Sequence, residues 1–336
     1  MTRYIFFLFC FLSSCTKNDY TTPLGGVYLE LCGDFELNKS NFSVLSFNRL
    51  EGTSLTSVSN VIEKLNPDII GLQESYDVGI QIADRFGFCF YGDENKSVAM
   101  LSKFPLEIVD ETQCKVMFND DFYLHFFNVH LPAFPYQPYD IRDTLITTQA
   151  QAVHQAEQTR GTEVTELVSS VENIITNMPI MVVGDFNEPS HLDWILDTEN
   201  PLQFQFNNPV EQFVVNWPSS NKLEEIGLVD VYRFFFSDPI EDPGYTWTPN
   251  YTVGEVHDRI DFIYYNDQGL LSVRQIIEQG INSPNEKSFW ERLQDSLPND
   301  SALGIIVRVI GLATLSLVII LTINIIGTKL KRSYRR

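Results

Sequence analysis

Near the middle of the chain, two polar residues follow a short apolar run, and their types suit chemistry at a phosphate or a bound metal ion. Residues 180–184 are rich in β-branched side chains and end at a glycine, which is typical of a buried strand that enters a tight turn. Asp185 and Asn187 follow two residues apart, a spacing that places both side chains on one face of extended backbone. Together they can hold a water, a metal ion or a phosphate oxygen. The alternative is an Asx-rich turn that caps the next helix.

Four other apolar runs end in a similar way and weigh against a simple turn. They deliver Asn48 after residues 43–47, Glu74 after residues 68–73, His130 after residues 125–129, and Asp258 with Asp261 within residues 257–263. Carboxylates, amides and an imidazole at strand ends are groups that phosphate-ester hydrolysis uses to neutralise charge, align water and transfer protons. The five stretches together therefore predict a hydrolytic site.

This ordered set resembles the endonuclease/exonuclease/phosphatase superfamily, which includes DNase I-like nucleases, sphingomyelinases and inositol-polyphosphate phosphatases. Its most specific pieces are Gly-Asp-Phe-Asn at 184–187, Leu-Gln-Glu at 72–74 and Asp-Arg-Ile-Asp at 258–261, and the resemblance extends over about residues 42–302. It implies an α/β fold, a four-layer sandwich of two mixed β-sheets flanked by helices. It also implies a divalent-metal-dependent phosphoric-ester hydrolase acting on a phosphodiester, with a nuclease of the same superfamily as an alternative.

The resemblance implies a hard divalent cation, Mg²⁺ or another such as Mn²⁺, held by oxygen donors. Glu74 is the principal expected ligand, and Asn48 and Asp185 are the further ones. The alternative interpretation of Glu74 is a carboxylate at a helix N-terminus, a position that the helix dipole favours for an acid.

The same resemblance assigns catalytic roles to four residues. Asp185 would orient or deprotonate the attacking water, Asn187 would donate to the phosphoryl group, and His130 would donate to the developing charge. The fourth is Asp261, which the resemblance favours over Asp258; a strand would place these two on opposite faces. His130 has an ordinary alternative, a histidine that is hydrogen-bonded beneath a loop.

Substrate contacts are expected from Asn48, His191 and Trp247. His191 follows the central turn closely, although a cap in a helix that begins at residue 188 is its alternative. Trp247 belongs to a Thr-Trp segment that borders the cleft in the family, but it would also suit a core. Residues 132–139 hold three prolines and three aromatic residues. This loop either presents rings to a lipid headgroup or a base, or covers the core.

One expected catalytic group is missing from the sequence. The family normally ends with a Ser-Asp-His triplet before a short apolar strand, whereas this chain has Asp300 followed by Ser301. Serine has no useful basicity at neutral pH, and loss of a positioned acid–base group typically lowers the rate about 10²–10⁴-fold. A catalytically impaired pseudoenzyme that binds a phosphorylated partner is therefore a second hypothesis.

Periodicity indicates the elements that must position these residues. Strands are predicted at 42–47, 69–72, 122–129 and 180–185, and helices at 53–65, 149–175 and 223–232. Residues 97–105 resemble the strand that closes with a basic-aromatic-proline turn in the family. In the helices, apolar residues recur at three- and four-residue spacing, so that one face packs inward. Alternating strands and helices are typical of the α/β class.

The two ends of the chain resemble targeting segments. We predict five parts: a signal peptide (1–15), an N-terminal stalk or edge hairpin (16–41), the hydrolase-like domain (42–302), one transmembrane helix (303–327) and a basic cytoplasmic tail (328–336). A bacterial lipoprotein signal ending at Cys15 is an alternative for the first part. The predicted protein crosses the membrane once, with its domain extracellular or lumenal, or periplasmic in a bacterium.

The charge of the chain limits its substrates. The net charge is −21, and leaving out the seven basic residues of the two ends makes it −28 for residues 16–302. Such a surface repels polyanions at long range. We therefore expect a lipid or small phosphodiester, while nucleic acid remains possible because bound cations reverse the local field. No protein partner can be inferred.

The cysteines do not form a disulfide scaffold. Outside the signal segment only Cys32, Cys89 and Cys114 remain, which allows one disulfide at most and leaves an odd thiol. The sequons would suit a glycosylated exterior in a eukaryote, and they lie at Asn38, Asn41, Asn95, Asn250 and Asn299.

Overall fold

The structure is a computed structural model. It describes residues 19–21, 27–29, 41–174, 178–195, 214–239, 242–247, 256–266, 271–275, 307–312 and 315–325. The predicted signal segment, the basic tail, Cys32, Asp300, Ser301 and the sequons at Asn38, Asn250 and Asn299 lie outside the described residues.

Fifteen strands and six helices make up the described part of the chain. The strands are β1 (Asp19–Thr21), β2 (Val27–Leu29), β3 (Asn41–Asn48), β4 (Ile69–Gln73), β5 (Cys89–Gly92), β6 (Ala99–Ser102), β7 (Leu106–Ile108), β8 (Gln113–Asn119), β9 (Phe122–His130), β10 (Ile180–Asp185), β11 (Leu228–Asp230), β12 (Asp261–Asn266), β13 (Leu271–Gln275), β14 (Val307–Leu312) and β15 (Leu315–Ile325). The helices are α1 (Leu55–Leu65), α2 (Tyr76–Phe86), α3 (Gln137–Arg142), α4 (Gln149–Ile174), α5 (Pro218–Glu225) and α6 (Val231–Phe235).

The strands form two mixed sheets. The first has the order β1-β2-β5-β6-β4-β3-β15-β13, with β14 also paired to β15, and the second has the order β11-β12-β10-β9-β8-β7. Strands β3 and β4 run parallel in the first sheet, and β9 and β10 run parallel in the second, whereas the other pairs are antiparallel. The predicted pair of mixed sheets is confirmed.

The sheets pack face to face between helical layers. One buried cluster joins Val44 and Ile69 of the first sheet to Val183 of the second. A second cluster lies between the first sheet and helices α1 and α2, and a third lies between the second sheet and α4. The sheets approach so closely that a Cβ on Gly71 would lie 2.4 Å from Val183 Cγ2. Because β4 and β10 are covered on both faces, their sequences are continuously apolar rather than alternating.

Two predicted helices differ in the structure. The helix expected at residues 223–232 is divided into α5, β11 and α6: Gly227 breaks it with φ +85°, and Asp230 caps α6 by accepting from the backbone N–H groups of Tyr232 and Arg233. No helix begins at residue 188, because residues 188–195 form turns and the buried Glu188 side chain accepts from Ser219 N at 2.7 Å.

Both predicted flanking segments contain strands where they are described. In the segment expected to be a stalk or an edge hairpin, β1 and β2 form an antiparallel edge hairpin that joins the first sheet beside β5. In the range predicted as a transmembrane helix, β14 and β15 are strands, and β15 lies antiparallel to β3. A long apolar run rich in Ile, Leu and Val is compatible with a buried strand as well as with a membrane span, so composition alone does not separate the two. None of the helices within the described residues is long and apolar enough to cross a membrane.

Two of the three cysteines outside the signal segment are described. Cys89 is disulfide-bonded, whereas Cys114 is a buried free thiol. Burial raises the pKa of the Cys114 thiol far above its usual range, so this cysteine is inert packing rather than a nucleophile.

Candidate active site

Strand register brings the predicted residues together. Asp185 at the end of β10 pairs with His130 at the end of the parallel strand β9, and with Asp261 at the start of the antiparallel strand β12. In the other sheet, Asn48 at the end of β3 lies beside Gln73, and Glu74 follows directly. Because the sheets face each other, the two sets of strand ends meet.

Asn48 joins the two sheets at this point. Its amide nitrogen donates to Asp185 Oδ2 at 2.8 Å and to Glu74 Oε1 at 3.1 Å, while its amide oxygen accepts from Leu50 N at 2.9 Å. The second oxygen of Glu74 accepts from Glu51 N. Asn48 is therefore placed as a donor that bridges two carboxylates, rather than with its oxygen toward them.

His130 is held at both ring nitrogens. Its Nε2 lies 3.6 Å from Asp185 Oδ2, and its Nδ1 contacts Ser97 Oγ. The Ser97 oxygen also accepts from Glu74 N at 3.2 Å, which leaves the hydroxyl hydrogen free to donate to Nδ1. A neutral His130 then carries its hydrogen on Nε2, toward Asp185 and the pocket. Sequence reasoning missed Ser97, whose only signal was its place in the Asn95 sequon.

Unusual backbone aims two of the site side chains. Asn187 has φ +48° and Glu74 has φ +51°, in the left-handed region that side chains other than Asn and Asp seldom adopt. Asn187 N donates to Asp185 Oδ1 at 2.8 Å, and its amide nitrogen donates to Leu131 O at 2.9 Å. The position before Asp185 must be glycine, because a Cβ on Gly184 would lie 2.1 Å from Val129 O of the neighbouring strand β9.

Asp261, rather than Asp258, belongs to the site. Asp258 accepts from Tyr136 OH at 2.6 Å and from Trp194 Nε1 at 2.9 Å, which makes it a structural carboxylate. Asp261 is buried beside Asp185, and its Oδ1 has no hydrogen-bond partner among the described residues. Thr246 Oγ1 accepts from the backbone N–H of Asp261 at 3.1 Å and so supports it from behind.

The carboxyl groups destabilise one another's charges. Burial, and then the charges of Asp185 and Glu74, raise the pKa of Asp261 well above its usual range. Burial is also the main cause that raises the pKa of Asp185, against the opposing effects of His130, Asn187 N and Asn48. Ionised together, these acids form a concentrated negative charge.

A pocket of about 230 Å³ contains these residues. Its lining is formed by Asn48, Leu50, Glu74, His130, Ala133, Phe134, Tyr136, Tyr139, Asp185, Asn187, Thr246, Trp247, Ile260 and Asp261. None of these described lining residues is a lysine or an arginine. Trp247 lines the pocket, and the loop at 132–139 contributes several lining residues whose role the sequence left undecided.

His191 is the predicted residue that the structure places elsewhere. Its Nδ1 lies 2.9 Å from Ser220 Oγ and its Nε2 lies 3.1 Å from Glu224 Oε2, both on helix α5. Proximity in sequence to the central turn was misleading, because the chain leaves the pocket directly after Asn187. The capping alternative does not describe this residue either, because no helix begins at residue 188; His191 N donates to Ser220 Oγ at 2.8 Å, so the residue joins the turns at 188–195 to α5.

A buried arginine holds the wall loop from behind. Arg160 of α4 donates to Gln137 Oε1 at 2.8 Å and to the carbonyl oxygens of Ala133 and Pro135, both at 3.3 Å. Its Nη1 also lies 3.8 Å from Glu188 Oε2. The signal in the sequence was a charged residue on the inward-facing stripe of α4, where Arg160 lies between the buried residues Ala156 and Val164.

The donor set fits a hard divalent cation. Among the described residues no group of three or more His, Cys, Asp or Glu side chains is arranged closely enough to hold a metal ion. However, Glu74, Asp185 and Asp261 supply carboxylate oxygens around one pocket, and Asp261 Oδ1 is buried without a partner in the described structure. Such oxygens are the ligands that Mg²⁺ and Mn²⁺ take.

Comparison with known proteins gives several similarities. The chain is 28% identical over 268 residues to the uncharacterized protein F14F9.5 of Caenorhabditis elegans, covering 72% of this chain and 82% of that protein. The crystal structure of truncated TDP2 from Caenorhabditis elegans is similar with a TM-score of 0.48 and 16% identity, covering 86% of this chain and 100% of that one. An AP endonuclease from Archaeoglobus fulgidus gives a TM-score of 0.48 and 15% identity, covering 84% and 99%.

The model of the Endonuclease/Exonuclease/phosphatase family matches residues 42–278. This range includes every strand end that contributes to the pocket, from Asn48 of β3 to Asp261 of β12. The chain therefore belongs to the endonuclease/exonuclease/phosphatase family.

Proposed function

We propose that this protein is a divalent-metal-dependent hydrolase of phosphodiesters. The observation that carries the proposal is the convergence of Asn48, Glu74, His130, Asp185, Asn187 and Asp261 in one pocket. Members of this family are in general metal-dependent phosphoester hydrolases and nucleases, which supports the same chemistry.

The proposed reaction uses Asp185 for proton transfer and His130 as a hydrogen-bond donor. Asp185 takes a proton from the attacking water, since burial raises its pKa and makes its carboxylate more basic. The water oxygen bonds to phosphorus as the ester P–O bond breaks, and the leaving oxygen takes up the proton that Asp185 gained. His130 Nε2 lies 3.6 Å from Asp185 Oδ2, so its N–H would donate to the negative charge that develops on the oxygens around phosphorus.

Glu74 and Asp185 would hold the cation, with Asp261 adjacent. When bound, Mg²⁺ or Mn²⁺ would supply neutralisation of the charge on the non-bridging phosphate oxygens. Asn48 keeps the two carboxylates at a fixed separation through its amide nitrogen.

The test is chelator-sensitive turnover by the full chain. We expect bis(p-nitrophenyl) phosphate to be cleaved in Mg²⁺ or Mn²⁺, with activity lost in EDTA and restored by metal. Asp185→Asn should lose at least about 10²-fold in kcat, whereas Asp120→Asn, in an exposed turn, is the matched control. Absence of turnover under all metal conditions would contradict the proposal.

A pseudoenzyme is the second candidate. The pairing of β15 with β3 supports it. Val318 of β15 pairs with Phe47 of β3, and the β15 residues before Val318 are Leu315, Ser316 and Leu317. The strand beside Asn48 thus contains no histidine near this end. Ser301→His and Ser316→His separate the possibilities: activity that either variant gains over an inactive parent favours the pseudoenzyme, while equal activity in the parent contradicts it.

The finer substrate class is a lipid or small phosphodiester rather than nucleic acid. The acidic chain and the lack of Lys and Arg among the described lining residues support this preference, because nucleic-acid affinity depends on cationic side chains at phosphates. A panel of single- and double-stranded DNA, sphingomyelin and inositol phosphates would test it. Faster cleavage of DNA than of the other substrates would overturn the preference.

We also propose export of the domain from the cytoplasm, in agreement with the signal-like residues 1–15. The Cys89 disulfide supports it, since disulfides persist in oxidising compartments. Membrane attachment through residues 303–327 is a separate proposal. It is incompatible with the pairing of β15 with β3 in the same molecule, because this segment cannot lie in the membrane and in the sheet at once. Carbonate extraction of membranes tests attachment, and release of the full chain would contradict it.

A further inference from the structure

The pocket has a polar floor and an apolar wall. The floor consists of the six convergent site residues, whereas the wall, which we call the aromatic wall, consists of Leu50, Ala133, Phe134, Tyr136, Tyr139, Trp247 and Ile260. These wall residues come from four separate segments of the chain: Leu50, the loop at 132–139, Trp247 and Ile260. The wall is therefore a built surface around the phosphate position rather than one loop that happens to lie nearby.

The polar atoms of the wall are engaged within the protein. Tyr136 OH donates to Asp258 at 2.6 Å, and Trp247 Nε1 donates to Tyr139 OH at 3.0 Å. Thr246 Oγ1, between wall and floor, accepts from the backbone N–H groups of Ile260 and Asp261. The rings thus turn carbon faces toward the pocket, while their hydrogen-bonding capacity is directed into the protein.

The wall reaches solvent at the pocket mouth through apolar side chains. Phe134 is 71% exposed and Leu50 is 43% exposed, although both line the pocket. Arg160 fixes the backbone on each side of Phe134 through Ala133 O and Pro135 O. An exposed aromatic ring on a loop that is anchored from beneath is already positioned to cover a ligand.

We propose that the aromatic wall receives an apolar ester group of the substrate, so that phosphoesters bearing an alkyl chain are preferred over those bearing a sugar. This inference rests on the proposed function for the position of the phosphate. A sugar would give up water at this wall without finding donors or acceptors, whereas an alkyl chain gains by leaving water. Each methylene that the wall covers should strengthen binding about threefold until the wall is filled.

The experiment measures binding, so that it does not depend on turnover. Calorimetric Kd values for methyl-, butyl-, hexyl- and octylphosphonate below their micelle concentrations, with Mg²⁺ and full chain, are expected to fall about threefold per methylene. Thymidine 5′-phosphate supplies the sugar comparison. Kd values that do not change with chain length, or tighter binding of thymidine phosphate than of hexylphosphonate, would overturn the inference and leave the hydrolase proposal intact. Chain-length dependence without any turnover would instead overturn only the hydrolase proposal.

Variants locate the effect on the wall. Phe134→Ala should weaken octylphosphonate binding about tenfold and leave methylphosphonate unchanged, whereas Phe234→Ala, at an exposed phenylalanine of α6 outside the pocket lining, should alter neither. Leu50→Asn is the second variant, because asparagine tolerates the φ of +56° at this position. Equal effects of Phe134→Ala and Phe234→Ala would contradict the assignment. Cleavage of monomeric dihexanoylphosphatidylcholine, with or without cleavage of dioleoylphosphatidylcholine vesicles, then distinguishes a soluble ester from a membrane lipid.

Discussion

Asp261 is a site residue whose burial lowers the stability of the fold. Its carboxyl group is buried beside two other acids, and its pKa is raised by burial and by the charges of Asp185 and Glu74. A carboxyl group with a raised folded-state pKa favours folding at acid pH, and this stability is lost as the pH rises through that pKa. Above the ordinary carboxyl pKa, Asp261 therefore opposes folding, while its buried oxygen stays available as a donor for a cation.

Asp261→Asn is expected to stabilise the protein in EDTA while it removes activity. At pH 8 the substitution removes the free-energy cost that the raised pKa of Asp261 imposes on folding, and each 1 kcal/mol regained would raise Tm by about 2–4 °C for a domain of this size. Near pH 4, where the parent acid is protonated, parent and variant should melt together. Thermal melts over this pH range check the expectation, with Asp120→Asn as the surface control. A variant that is less stable than the parent at pH 8 would contradict it.

Ser97 is expected to act through His130. Ser97→Ala removes the hydroxyl that contacts His130 Nδ1, so we expect kcat to fall about tenfold with little change in KM. Ser97→Thr restores the hydroxyl and should recover most of the rate.

The control for Ser97 is Asn95→Gln. It removes the same sequon but leaves the Ser97 hydroxyl in place, so its kcat should equal that of the parent. If Asn95→Gln lost as much activity as Ser97→Ala, the effect would belong to the sequon rather than to the hydrogen bond with His130.

At the scale of elements, the buried contact between α4 and the wall loop sets the shape of the pocket. Arg160→Met leaves Glu188 as a buried charge without its arginine, which typically destabilises a protein by about 3–5 kcal/mol. It also frees the backbone of residues 133–135. The double variant Arg160→Met with Glu188→Gln should regain stability. The loop at 132–139 would still lack its contacts with Arg160, so KM for an alkyl substrate should remain high. Recovery of both Tm and KM would show that Arg160 serves stability alone.

Local sequence patterns predicted the strands and helices better than the long-range contacts between them. Strands β4 and β10 were evident because burial on both faces makes them continuously apolar, and α4 was evident from its inward-facing apolar stripe. The choice between Asp261 and Asp258 depended on Tyr136 and Trp194, partners 122 and 64 residues away. Such long-range pairing is absent from local sequence, and for the same reason His191 was assigned to the pocket although α5 holds it.

At the scale of the whole molecule, the C-terminal run decides whether the first sheet is complete. β15 pairs with β3 from Val318–Phe47 to Asn324–Asn41, so its removal would expose the backbone edge of the strand that carries Asn48. Deletion of residues 303–336 is therefore expected to lower Tm by about 10 °C or more and to cause association through the free edge, whereas deletion of 328–336 alone should change neither. Thermal melts and size-exclusion chromatography of both truncations give the answer. A stable monomer ending at residue 302 would remove β15 from the fold and leave the apolar run free to lie in a membrane.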